Sequence, residues 1–69
     1  MRLEELRNSL MILTQKYVAD SGKRSCFLNQ IEKSPCPPAK AVLAEIALSG
    51  TSVSNEDAAL IKEIAFHFV

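Results

Sequence analysis

Sixty-nine residues hold one domain at most, and at that size a single apolar core barely offsets the entropy of ordering the backbone. Hydrophobic residues are 48% of the chain and aromatics only 6%, so the core must be built from Leu, Ile, Val and Ala, a mixture that favours helices. Eight basic and eight acidic side chains cancel, which argues against a protein held to nucleic acid by overall charge, and two cysteines are too few for a disulfide-stapled miniprotein.

The N-terminal stretch carries the clearest pattern. Leu3, Leu6, Leu10, Leu13 and Tyr17 recur at alternating intervals of three and four, which lays one apolar seam along a helix predicted over residues 2–19. Glu4 and Glu5 fall in its first turn, where they complement the positive end of the helix dipole. Met11, Ile12 and Val18 widen the seam, so the helix is expected to touch neighbours on more than one side. Gly22 then offers a left-handed exit. The same two glutamates interrupt any signal peptide, and the apolar run over residues 10–13 is too short to span a membrane. The expected location is the cytoplasm, with both cysteines reduced.

A second helix is expected over residues 25–33, capped by Ser25 and presenting Phe27, Leu28 and Ile31 near one side. Ser34, Pro35, Cys36, Pro37 and Pro38 must break it, because each proline removes a donor and disfavours helix in the residue before it. Pro38 suits the first turn of a third helix reaching residue 48. Only Lys40 and Glu45 are polar there, and a helix apolar nearly all round is expected to be buried nearly all round. Gly50 ends it. Ser54 followed by Asp57 has the spacing of a capping box with a short acid, opening a last helix from residue 55 to the chain end. Its core face is Leu60, Ile61, Ile64, Ala65 and Phe68, with Phe66 and Val69 to the side. The sequence therefore predicts an all-α fold: one domain over residues 1–69, a compact bundle of about four short helices with a proline-rich joint at 34–38.

Little in the chain points to chemistry. Cys26, Cys36 and His67 match no zinc-ligand spacing; Cys26 reads as a small core residue beside Phe27, and Cys36 as part of the proline joint. A single histidine near the chain end is a poor base for nucleophilic catalysis, and Gly22 and Gly50 are too far apart to form a phosphate loop. No enzyme, metal or cofactor is expected. Helix, Gly50 turn and helix occur in the order of a helix-turn-helix, yet the turn is long and the last helix opens on Glu56 and Asp57, the wrong sign for phosphate.

What remains is apolar surface. With the third helix covered, Met11, Ile12, Val18, Phe66 and Val69 exceed what one small bundle can hide, and surplus of that kind marks a partner. The expected function is a non-enzymatic protein–protein interaction module that binds a partner protein and forms a homodimer. Leu3, Leu6, Leu10, Leu13 and Tyr17 are one candidate interface, and Phe66, Phe68 and Val69 a second. By size and helical character alone, it compares with small bacterial or phage-type regulators, inhibitors and chaperones. The alternative is a nucleic-acid-binding transcriptional regulator that contacts phosphates through the basic stretch 23–40, with Lys23, Arg24, Lys33 and Lys40.

Overall fold

The computed structural model describes residues 2–68, and within them it is all helical: α1 (Leu3–Tyr17), α2 (Ser21–Lys33), α3 (Ala39–Ser49) and α4 (Asn55–Phe68). The leucine periodicity decides the centre of the fold. Leu6, Leu10 and Leu13 are fully buried together with Thr14, and α1 packs on each of the other three helices. Ile31 of α2, Val42 and Ile46 of α3 and Ile64 of α4 close the core around that seam. The Thr14 hydroxyl is buried there without a hydrogen-bond partner among the described residues.

Helix α2 starts four residues before the expected cap. Asp20 is its N-cap, and the Asp20 carboxylate accepts the Lys23 backbone N–H at 2.9 Å. Ser25 therefore lies inside the helix, and Gly22 sits in the first turn with an ordinary negative φ. An acidic cap with a free carboxylate outweighs the tendency of glycine to end a helix. Cys26 is exposed on α2, where the sequence placed it in the core; only Ile31 of this helix is fully buried. At the far end of α2 the Arg7 guanidinium reaches across from α1. It donates to the carbonyls of Ile31, Glu32 (2.9 Å) and Ser34 (3.2 Å), satisfying acceptors that the helix end leaves free.

The joint at 34–38 is non-helical as expected. Ser34 Oγ donates to the Cys36 carbonyl at 2.8 Å and accepts the Cys36 N–H at 3.3 Å, which folds the chain back on itself before α3. Pro38 is the N-cap of α3, and its carbonyl accepts the Val42 N–H at 3.0 Å. Gly50 ends α3 at φ 68°, the left-handed conformation glycine adopts at least cost. Ser54 then caps α4 by accepting the Asp57 N–H at 3.2 Å. The return half of the capping box is absent from the bonds formed, because the Asp57 carboxylate is engaged elsewhere.

Candidate functional site

The third helix departs furthest from expectation. Ala39, Val42 and Ile46 point into the core, as a 3.6-residue period requires of one face. The opposite face carries Lys40, Ala41, Ala44, Ala47 and Leu48, and all five are exposed. Leu48 is 83% exposed, almost as open as a leucine can be. The expectation that this helix is buried nearly all round is therefore corrected. The molecule is a slab, 27 × 26 × 16 Å, and a slab that thin has no further layer of helix to lay over α3. Glu45, the other charged residue of α3, sits at the edge of this face and pairs with Lys23 at 3.3 Å.

The exposed face runs into a groove of about 720 Å3 at one end of the bundle. Its floor and walls come from the start of α1 (Leu3, Leu6), the proline joint (Cys36, Pro37, Pro38), the first half of α3 (Ala39, Ala41, Ala44) and Phe68 at the end of α4. Three chain segments converge here because α4 runs back along α3 and α1 packs against both, so the start of α1, the start of α3 and the end of α4 meet. Among the described residues of the lining, Lys40 is the one with a charged side chain. Leu3 and Phe68 are only partly covered, at 47% and 39% exposed.

The predicted interface residues are thus divided. Leu10 and Leu13 lie in the interior of the monomer and Leu6 reaches only the groove floor, so a partner meets this seam itself only if the bundle opens. Leu3 and Phe68, assigned from the sequence to two separate surfaces, come together in one groove. Phe66 is 84% exposed on the side of α4 away from the core, with the His67 ring edge-on to it at a centroid distance of 5.2 Å. Val69 lies outside the described residues.

Tyr17 has a structural task that its place in the seam did not reveal. Its hydroxyl donates to Asp57 Oδ2 and accepts the Ser54 N–H at 3.5 Å, so the last turn of α1 is tied to the cap of α4. Lys16 adds an ion pair to the same oxygen at 3.3 Å. The Tyr17 hydroxyl, with the Ser54 and Lys16 bonds behind it, holds the Asp57 carboxyl below its ordinary pKa of 3.8 against the opposing effect of desolvation.

The four candidate phosphate-binding cations are divided between α2 and α3. Lys23 and Arg24 are in the first turn of α2 and Lys33 is its last residue, about 15 Å further along by helical rise. Lys23 is paired with Glu45, Arg24 reaches the Val18 carbonyl at 3.4 Å, and Lys40 belongs to the apolar groove.

Among the described residues no three of His, Cys, Asp and Glu cluster as metal ligands would, and no helix is long and apolar enough to cross a membrane. Comparison with protein-family models, with curated proteins and with solved structures finds no match to this chain.

The features missed from the sequence are Ala41, Ala44, Ala47 and Leu48 as a surface, and Cys36 as a groove residue. The signal was present: a helix with apolar residues on both faces must either be enclosed or present one face outward. Which of the two holds depends on the elements that pack over the helix, and among the described residues none covers this face of α3.

Proposed function

We propose that this chain is a non-enzymatic interaction module that binds another polypeptide along the outer face of α3 and the groove beside it. The observation that carries the reading is the helix with two apolar faces and cover for only one, which is what a docking helix requires. The homodimer expected from the sequence belongs to the same proposal, with Leu3, Ala44, Leu48 and Phe68 replacing the buried leucines of α1 as contact residues. A regulator, inhibitor or chaperone works by this kind of contact, and the engagement of Lys23 with Glu45, of Arg24 with the Val18 carbonyl and of Lys40 with the apolar groove makes the nucleic-acid alternative the weaker reading.

The two free cysteines supply a test, because Cys36 lines the groove while Cys26 is exposed on α2. A photo-crosslinker is attached to Cys36 in the Cys26→Ser protein, and separately to Cys26 in the Cys36→Ser protein. Irradiation of the labelled protein in a cell lysate should join a polypeptide to the Cys36 probe and not to the Cys26 probe. Equal capture from both positions, or from neither, overturns the proposal.

A further inference from the structure

We propose that the occupant of this face is a second copy of the chain, its α3 laid antiparallel on the first across a two-fold axis at Ala44; this rests on the reading of the α3 face as a docking surface. Charge is the first argument. Lys40 stands in the first turn of α3, at the positive end of its own helix dipole, and that turn holds no acid. Lys40 forms no ion pair among the described residues, and the last turn of α3 holds no base to offset its negative end. An antiparallel copy corrects both mismatches at once, since each Lys40 meets the negative end of the other helix.

Shape gives the second argument. Leu48, the most exposed large aliphatic side chain among the described residues, lies eight positions beyond Lys40, about 12 Å along the axis. A two-fold through Ala44 exchanges those ends. The second copy's Leu48 then arrives beside Lys40 and Ala41, at the mouth of the groove where Leu3 and Phe68 are half open. One copy's projection fills the other's depression, twice. Ala41, Ala44 and Ala47 between the ends have the small side chains that let two helices approach to about 8 Å.

The operation is closed and self-complementary, so it ends at two copies. The paired face is short, about 16 Å along α3, well under a standard interface, and dissociation is expected in the micromolar range. Phe66, on the far side of α4, takes no part.

Single cysteines placed in a Cys26→Ser, Cys36→Ser background test the register, with oxidised glutathione as the oxidant. A residue on the two-fold meets its own copy, so Ala44→Cys should give a disulfide-linked dimer in several-fold higher yield than Phe66→Cys. A mixture of Ala41→Cys and Ala47→Cys proteins should link to each other more than either links to itself. In sedimentation equilibrium the unmodified protein should approach twice the monomer mass as its concentration rises through the micromolar range, and Ala44→Glu should remain monomeric while folded by circular dichroism.

Lys40→Glu separates association from folding. An acid at that end favours its own helix, so the variant should melt no lower as a monomer yet dissociate several-fold more readily. Unmodified protein that stays monomeric at high concentration overturns the proposal, as does linking at Phe66→Cys in preference to Ala44→Cys, or Ala41→Cys linking mainly to itself. If the monomeric protein still captures a different polypeptide from Cys36, the docking surface stands and its assignment to a second copy fails.

Discussion

The hydroxyl of Tyr17 connects two helix ends that the sequence places forty residues apart, and its partner Asp57 titrates, so the connection depends on pH. Asp57 in the folded chain gives up its proton more readily than its ordinary value of 3.8 implies, with the Tyr17 hydrogen bond as the largest cause. The unfolded chain therefore takes up that proton first as pH falls. The stabilisation is fully present above the unfolded-state value of 3.8, and is lost as pH drops below it through the folded value. Tyr17→Phe removes the donor but keeps the ring. It should lower the urea midpoint at neutral pH and lower it much less well below pH 3.8, where Asp57 is protonated with or without the hydroxyl. Parallel urea titrations of the two proteins across that interval check it; a gap that does not narrow in acid means the hydroxyl acts through something other than the carboxylate. None of this was legible in the sequence. The capping motif at Ser54 and Asp57 was visible because a cap is a local pattern, but a bond from α1 to that cap depends on how the helices cross, which local spacing does not encode.

At the scale of elements, boundaries set by a forced backbone geometry were read well and those set by competing preferences were not. The prolines of the joint cannot be helical whatever surrounds them, and Gly50 sits where the chain needs φ 68°, so both breaks fall where expected. Gly22 has no such need. It occupies the first turn of α2, where Asp20 already supplies an acceptor, and its reading as a terminator gave a helix that began too late. Alanine substitutions separate the two roles. Gly50→Ala meets no neighbouring atom but forces a side chain into left-handed backbone, and should cost about 1 kcal/mol. Gly22→Ala gains helix propensity, while its Cβ would stand 3.2 Å from Asp20 Oδ1 and crowd the cap. Those effects are each about 1 kcal/mol with opposite sign, so the net should lie within roughly 0.5 kcal/mol of zero. Urea unfolding of both variants measures the difference, and a Gly22→Ala protein as damaged as Gly50→Ala would show that α2 begins as the sequence first implied. The third helix taught the converse lesson. Its apolar character was read correctly, and its burial was not, because periodicity tells which residues want cover and not which elements pack over them.

The molecule as a whole is as condensed as its length allows. Its radius of gyration is 10.9 Å, against about 11 Å for a compact chain of this length. Its accessible surface of 4537 Å2 is close to the roughly 4300 Å2 expected from its mass. The apolar excess is therefore not a sign of a loose fold; it is a matter of where the side chains stand, with Leu48 and Phe66 outside and Leu6, Leu10 and Leu13 inside. That arrangement predicts two very different answers from the two candidate interfaces drawn from the sequence. Leu10 is completely buried, and Leu10→Ala should cost about 3 kcal/mol, a large part of the roughly 5 kcal/mol that holds a domain of this size together. Phe66→Ser removes a ring already in water, and should change stability by no more than about 0.5 kcal/mol. Denaturant unfolding at a protein concentration low enough to keep the chain monomeric makes the comparison clean, because any association would add its own concentration-dependent term. A Leu10→Ala protein that loses self-association while keeping its monomer stability would mean that the seam of α1 faces a partner after all. Loss of monomer stability instead matches the seam's place in the interior, and leaves the proposed surface on α3 to be decided by its own crosslinking test.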